Sequence, residues 1–159
     1  MPNNECIRVY GDPVLRLKAK PVTEFNNRLK SLLEKMAKCM YQARGVGLAA
    51  PQVGVSVRAA VIDVGDGLIT LVNPKITAAE GEEVDVEGCL SLPGLIGDVP
   101  RSARVTVQAL DSEGKEKKIS GDGLLARALQ HELDHLDGIL FIDRAQNIRP
   151  CENDHDEEG

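Results

Sequence analysis

Five consecutive residues near the end of the chain, His131-Glu132-Leu133-Asp134-His135, combine two imidazoles with a carboxylate. On an α-helix, residues four apart lie on the same face, so His131 and His135 can bind one metal ion together. Glu132 follows the first histidine and can reach a water molecule on the same metal as a general base. Because a bound divalent metal makes hydroxide available near neutral pH, hydrolysis is the first reaction to consider.

The segment that carries this motif is typical of a buried helix. We predict a helix over about residues 123–136 that stops near Gly138. A wide apolar stripe follows its length, formed by Leu124, Leu125, Ala128, Leu129, Leu133 and Leu136. Histidine and glutamate side chains on a buried helix need polar partners, and a metal ion would provide them. The alternative is an exposed helix with two ordinary histidines.

A catalytic metal site of this kind needs a third protein ligand and one open position. Some metallopeptidases extend the motif to H-E-x-x-H-x-x-G-x-x-H, but the final position here is Phe141, which cannot bind a metal. Others use a glutamate on a later helix, for which the short acidic tail leaves little room. The best upstream candidate is Cys89, which follows the strand-like alternation of residues 83–87. A small buried hydrophobic residue is the alternative role for a single cysteine.

Three motifs follow one another along the chain: Gly45-Val46-Gly47-Leu48-Ala49-Ala50-Pro51-Gln52, Glu87-Gly88-Cys89-Leu90-Ser91 and Gln130-His131-Glu132-Leu133-Asp134-His135. In their residues and their order these motifs resemble the peptide deformylase family. Weaker similarity runs from Arg8–Pro13 to Leu140–Asp143. Because the family removes the formyl group from the N-terminal methionine of nascent bacterial-type polypeptides, the resemblance implies a metal-dependent hydrolase acting on N-formylmethionyl peptides.

The resemblance also implies roles for individual residues. The metal ligands that it implies are Cys89, His131 and His135. Glu132 would be the catalytic acid–base, and the oxyanion would be stabilised by the Gln52 side-chain amide and the Leu90 backbone N–H. The cofactor would be one divalent metal ion, usually Fe²⁺ in this family, with Zn²⁺, Ni²⁺ or Co²⁺ as substitutes. A thiolate ligand is compatible with both iron and zinc.

Substrate binding is assigned mainly by the same resemblance. The backbones of Gly45, Val46 and Gly47 would line the cleft, and glycine lets a peptide approach closely as an added strand. Candidates for an apolar methionine pocket are Val46, Leu124, Leu125 and Ala128, for which core packing is an equal alternative. Arg101 could pair with Glu87 behind the metal ligands, or it could be an ordinary surface arginine.

The remaining elements suggest an α+β fold. We expect antiparallel or mixed sheets packed around a central metal-ligand helix, together with one N-terminal helix over residues 24–41 capped by Thr23. The predicted strands cover residues 57–64, 68–72 (ending before Asn73-Pro74), 83–87 and a hairpin that joins 105–109 to 117–119. We predict one catalytic domain, 1–148, and an acidic, disordered tail, 149–159.

Composition narrows the classes of partner. The net charge is −6 and aromatic residues make up 3% of the chain, so neither a basic nucleic-acid footprint nor an aromatic base-stacking platform is expected. We find no apolar run of membrane-spanning length and no signal-peptide core, and we expect a cytoplasmic protein with reduced thiols. The expected partners are N-formylmethionyl nascent peptides and, transiently, the ribosome. An internal-cleaving metallopeptidase and a non-catalytic formyl-peptide or metal-binding descendant stay as alternatives.

Overall fold

The computed structural model describes residues 6–151. This part of the chain contains two α-helices, α1 (Asn27–Gln42) and α2 (Gly123–Leu136), and three short 3-10 helices at Pro13–Arg16, Ala50–Val53 and Phe141–Asp143. Its strands are β1 (Gly47–Ala49), β2 (Ala59–Ile62), β3 (Ile69–Glu80), β4 (Glu83–Gly88), β5 (Leu95–Arg101), β6 (Arg104–Leu110), β7 (Glu116–Asp122) and β8 (Gln146–Pro150). The predicted α+β class is confirmed.

The strands form two antiparallel sheets. The larger has the order β1-β2-β3-β6-β7, and the smaller has the order β4-β5-β8. β1 is therefore an end strand of the larger sheet, and β4 is an end strand of the smaller one. The predicted hairpin between β6 and β7 is confirmed, because the turn at Asp111–Lys115 is closed by two hydrogen bonds of its backbone.

The five-stranded sheet lies between the two α-helices. Successive side chains of a strand point to opposite faces, and β2 follows this rule with four fully buried residues. Ala59 and Val61 pack in the cluster that contains α1, whereas Ala60 and Ile62 pack in the cluster that contains α2. A third cluster of buried side chains surrounds Val99 of the small sheet. It also contains residues of the first 3-10 helix, of the loop after β4 and of the segment after α2: Leu15, Cys89, Leu92, Leu140 and Phe141.

Helix α1 begins three residues later than predicted, and its cap is Asn26 rather than Thr23. The Asn26 side chain accepts hydrogen bonds from the N–H groups of Arg28 and Leu29, which satisfies two donors that a helix start leaves without partners. At the other end Arg44 adopts a φ of 62°, and the N–H groups of Arg44 and Gly45 bond back to carbonyls of the last turn. This motif directs the chain into the glycine segment before β1.

Strand β3 does not end before Asn73-Pro74, as the sequence suggested, but continues to Glu80. Asn73 takes a φ of 51°, and the register shifts between Val72 and Lys75. The Asn73 side-chain amide bonds both the N–H and the carbonyl of Val22, and this compensates for the interrupted ladder. Proline is therefore accommodated at a bulge, where no ladder donor is needed.

Two further expectations differ from the structure. The sulfur atoms of Cys6 and Cys39 form a disulfide with their Cα atoms 6.5 Å apart, so the expectation that all four cysteines are reduced is wrong for this pair. Arg149 and Pro150, predicted as tail, belong to β8 and pair with β5. The rest of the predicted tail, residues 152–159, lies outside the described residues. Neither helix within residues 6–151 has the length and apolar character needed to cross a bilayer.

Candidate metal centre

Helix α2 buries four polar side chains, Arg127, His131, Glu132 and His135. Its apolar residues pack against the five-stranded sheet, as the stripe in the sequence predicts. The predicted bounds of this helix match the observed ones, Gly123–Leu136. Gly138 follows with a φ of 76°, a conformation that residues with a side chain adopt reluctantly, and this ends the helix. The polar face of α2 lies beside the end of β4, because its Arg127 and His131 side chains bond to Glu87 of that strand.

The three predicted metal ligands converge in a buried cluster. One donor atom from each of Cys89, His131 and His135 lies within 4.8 Å of the others, and all three residues are buried. The Cys89 sulfur lies 3.3 Å from Nε2 of His135. Two donors on one tetrahedral zinc ion would be about 3.3–3.5 Å apart for bonds of about 2.0–2.3 Å. The distance between the Cys89 sulfur and Nε2 of His135 is therefore already close to that expected for two ligands of one ion.

Buried atoms without partners also fit a metal centre. Among the described residues, Oε1 of Glu132 and Nδ1 of His135 are buried and make no hydrogen bond. An isolated buried polar atom is costly, so Oε1 of Glu132 indicates a place for an ion or water molecule at the cluster. Nδ1 of His135 does not, because Nε2 of that ring is the nitrogen that faces Cys89. The donor set, one thiol and two imidazoles, suits a borderline-soft divalent ion. The residues present thus fit the divalent cation that the motif predicts.

Glu87 orients the first imidazole. Its Oε1 lies 2.9 Å from Nδ1 of His131, which leaves Nε2 of that ring for the metal. Arg101 donates two hydrogen bonds of 2.8 Å to the same carboxylate, so the predicted pairing of Arg101 with Glu87 is present. Burial alone would raise the pKa of Glu87, but hydrogen bonds from Arg101 and His131 outweigh it and hold that pKa far below its usual value.

Glu132 is placed to exchange protons at the centre. Its side chain is 3% exposed, and loss of solvent raises its pKa to about 7 in the absence of a metal ion. Gly47 of β1 leaves the space that this carboxylate occupies, because a Cβ at position 47 would lie 2.5 Å from Oε2 of Glu132. The sequence predicts Gly47 as a cleft residue, and the structure adds this second reason for glycine.

Gln52 points its amide nitrogen at the centre. Its Oε1 accepts a hydrogen bond from the N–H of Ala49, so Nε2 faces the other way, 3.0 Å from Oγ of Ser91 and 3.6 Å from Sγ of Cys89. Gln52 is 1% exposed. Leu90 lies in the turn that follows Cys89, and its N–H donates to no other residue between positions 6 and 151. Both predicted oxyanion donors therefore lie beside the ligand cluster.

An N-terminal segment that the sequence did not suggest as part of the site connects these loops. The N–H of Arg8 donates to the carbonyl of Gln52 at 2.7 Å, and the N–H of Tyr10 donates to the carbonyl of Ser91 at 2.8 Å. The segment therefore links the Gln52 loop to the Cys89 loop. Both of these hydrogen bonds use only backbone atoms, so the residue types at positions 8 and 10 do not signal them.

Phe141, at the position of the third histidine in the longer peptidase motif, is a core residue. It is buried in the cluster around Val99, and its ring stacks on His131 with centroids 6.5 Å apart. Phe141 therefore packs against one side of the ligand cluster. At this position it contributes a packing contact with His131 rather than a metal ligand.

The predicted substrate residues fall into two groups. Leu124 is 53% exposed, and it lies on the helix face of His131, two turns earlier. Ala128 and Leu125 pack instead in the hydrophobic cluster beneath the helix. Val46 is half-buried just before β1, and its carbonyl accepts a hydrogen bond from Asp63. Leu124, Val46 and Leu125 are therefore at least partly open to a ligand, whereas Ala128 lies behind the surface.

Comparison with known proteins gives a consistent picture. A family model described as polypeptide deformylase matches residues 5–150. A peptide deformylase of Pelotomaculum thermopropionicum is 56% identical over 139 residues, which cover 87% of this chain and 90% of that protein. One from Halothermothrix orenii is 58% identical over 144 residues, covering 89% and 94% respectively.

Solved structures agree with these relatives. The peptide deformylase from Thermotoga maritima superposes with a TM-score of 0.86 at 48% identity, covering 88% of this chain and 96% of that one. The peptide deformylase from Synechococcus elongatus, solved in complex with actinonin, gives a TM-score of 0.87 at 42% identity and covers 92% and 84%. With its Cys/His/His cluster and its α+β architecture, this chain belongs to the polypeptide deformylase family.

Proposed function

We propose that this chain is a metal-dependent hydrolase that removes the N-formyl group from the N-terminal methionine of nascent polypeptides and releases formate. The observation that carries the proposal is the convergence of one thiol and two imidazoles beside a buried carboxylate, in a chain whose relatives are peptide deformylases. A non-catalytic descendant would have little use for the buried, partnerless oxygen of Glu132.

The cofactor is one divalent metal ion held by Cys89, His131 and His135. The family resemblance implies Fe²⁺ as the resident ion. Zn²⁺, Ni²⁺ or Co²⁺ can substitute, because a thiolate and two imidazoles suit all four ions. When bound, the ion supplies a water molecule of lowered pKa and a positive charge beside the formyl oxygen. The fourth position is left for solvent and substrate.

Glu132 carries the protons. Its carboxylate accepts a proton from the attacking water as the new bond to the formyl carbon forms. It then passes that proton to the departing nitrogen as the C–N bond breaks, which yields formate and a free N-terminal amine. This role is supported by the burial of Glu132, by its oxygen without a partner among the described residues and by its pKa, which is raised to about 7. A group that both accepts and returns a proton works best when its pKa is near the operating pH.

Gln52 and Leu90 stabilise the negative charge that develops on the formyl oxygen. The Gln52 amide nitrogen is aimed at the ligand cluster by the hydrogen bond that its oxygen accepts from Ala49. The Leu90 N–H, one residue after Cys89, has no partner within residues 6–151. Donors fixed in this way before the reaction cost no reorganisation when the charge appears.

The peptide binds as an added strand along Gly45, Val46 and Gly47. β1 is an end strand, so its outer edge offers unpaired backbone groups. The exposed Leu124 and the half-buried Val46 and Leu125 contact the methionine side chain, and Ala128 supports that surface from behind.

The partners follow from the substrate. N-formylmethionyl chains are nascent polypeptides, so we infer that the protein meets them in the cytoplasm and in transient contact with the ribosome.

An anaerobic assay tests the function. Formate release from a formyl-Met peptide is compared with cleavage of a peptide blocked at both ends, and bound metal is quantified in the same samples. We expect turnover of the formyl peptide alone. Glu132→Ala should keep the metal and lose turnover, whereas the exposed control Glu116→Ala should match the wild type. Internal cleavage by the wild type would overturn the function, and full turnover by Glu132→Ala would overturn the role of Glu132.

A further inference from the structure

The metal ligands belong to two separate parts of the fold. His131 and His135 are on α2, which packs mainly against β1, β2, β6 and β7 of the five-stranded sheet. Cys89 directly follows β4, an end strand of the three-stranded sheet. The distance between the sulfur and the two imidazoles therefore depends on the contacts that join α2 to the smaller sheet.

Arg127 makes three of these contacts. It lies one turn before His131 on α2 and is almost fully buried. Its Nη1 donates to Oε2 of Glu87 and to the carbonyl of Val99, each at 2.8 Å, and its Nη2 donates to the carbonyl of Glu83 at 3.0 Å. One guanidinium on the ligand helix thus donates to backbone carbonyls of both β4 and β5 and to the Glu87 carboxylate of β4.

Arg101 binds the same carboxylate but has a different second partner. It comes from β5 of the small sheet and donates to Asp134 on α2 at 2.7 Å. Asp134 in turn pairs with Arg144, which is partly exposed. Arg101 therefore reaches the helix through a carboxylate shared with a surface arginine. Arg127 reaches the sheet through main-chain carbonyls, which cannot move without moving the strands.

We propose that Arg127 is a positioning residue that sets the distance between Cys89 and the two histidines by clamping α2 to β4 and β5 at Glu87. The proposal rests on Cys89, His131 and His135 being the metal ligands. Among residues 6–151, the Arg127 guanidinium bonds to Glu87 and to the carbonyls of Val99 and Glu83 and to none of the three ligands, so it acts through Glu87 and the two strands. Side chains that orient metal ligands in this way typically contribute about 10- to 100-fold in metal affinity.

The chemistry of the substitution makes the consequence specific. Arg127→Met keeps an unbranched stem of similar length and removes the guanidinium. Glu87 keeps its two hydrogen bonds from Arg101, so the buried carboxylate is still paired. The carbonyls of Glu83 and Val99 lose the donor from α2, and the smaller sheet is freed to shift relative to the helix. The expected result is a looser metal site.

Metal release and cobalt spectroscopy test this without relying on activity. Wild type, Arg127→Met and Arg127→Gln are loaded with zinc, and the rate of zinc transfer to a chromogenic chelator is measured. The same proteins are loaded with Co²⁺, whose thiolate charge-transfer and d–d bands report the sulfur ligand and the geometry. Arg149→Met is the matched control, because Arg149 lies on the same small sheet and its guanidinium bonds, among residues 6–151, to Asp98 and to the carbonyl of Asn147.

We expect both Arg127 variants to release zinc about 10- to 100-fold faster than wild type and to show altered cobalt bands. The Arg149→Met control should match the wild type in both measurements. The proposal would be overturned by an Arg127 variant that releases zinc at the wild-type rate and shows wild-type cobalt bands, with only its melting temperature lowered. If Arg127→Met does not fold, the result for Arg127→Gln decides. A wild-type protein that binds no stoichiometric metal would instead refute the ligand assignment itself.

Discussion

The space that Gly47 leaves for Glu132 provides a sharp test of how the site works. A Cβ at position 47 would lie 2.5 Å from Oε2, 3.0 Å from Cδ and 3.1 Å from Cγ of Glu132, whereas ordinary Cβ contacts lie at 3.4–4 Å. In Gly47→Ala the carboxylate must therefore retreat by about 1 Å, and a misplacement of that size can cost about 100-fold in rate. A 100-fold loss corresponds to about 2.7 kcal/mol of transition-state stabilisation.

The loss should fall on kcat rather than on metal binding. The three heavy atoms nearest to the new methyl group all belong to Glu132 and none to a metal ligand, so the metal content should equal that of the wild type. Formate release from a formyl-Met peptide gives kcat and KM, and metal analysis of the same sample gives occupancy. A higher KM at unchanged kcat would mean that Gly47 serves only the approach of the peptide.

A double-mutant cycle isolates the contact between the two residues. Glu132→Asp shortens the side chain by one methylene and should relieve part of the clash with an alanine at position 47. We therefore expect Gly47→Ala to cost less in the Glu132→Asp background than in the wild type. Equal costs in both backgrounds would refute the reasoning, because the methyl group would then act independently of the carboxylate.

Three other outcomes are expected. Gln52→Ala should lower kcat by about 100- to 1000-fold with the metal retained, and an unchanged kcat would remove Gln52 from the oxyanion site. Burial raises the pKa of Glu132 from 4.5 to about 7, and a bound cation lowers this pKa again. Since the base must be deprotonated, kcat/KM should fall as the pH decreases, with a midpoint between pH 4.5 and about 7. A profile flat to pH 4 would contradict this. Air exposure should inactivate the Fe²⁺ form through oxidation of the iron or of Cys89, while the Ni²⁺ form keeps its activity; equal survival of both would refute the iron–thiolate explanation.

The ligand helix could be predicted from sequence because local signals agree there. An apolar stripe, the two histidines four residues apart and Gly138 all act within a few residues of one another. Exclusion of other ligands and its position after an alternating strand make Cys89 the predicted third ligand. Its distance from His135 could not be obtained in this way, because it depends on how two sheets pack.

Other features depend on contacts between distant residues. β1 has three residues, too few for a periodic signal, and the five residues of β8 are mostly polar and exposed; each strand is defined by the strand beside it. The sequence signal at Asn73-Pro74 favours a strand end, but the Asn73 side chain finds Val22, 51 residues away, and the strand continues. In the sequence, Arg127 is a single charged residue within the apolar stretch Leu124–Leu129. Its partners lie on β4 and β5, which no local pattern predicts.

The geometry of the loaded metal centre can be measured by X-ray absorption at the zinc edge. With one zinc ion per chain, we expect one sulfur ligand at about 2.3 Å and two imidazole nitrogens at about 2.0–2.1 Å, and the sulfur signal should vanish in Cys89→Ala. A zinc shell without sulfur, or a sulfur signal that survives Cys89→Ala, would contradict the proposed site.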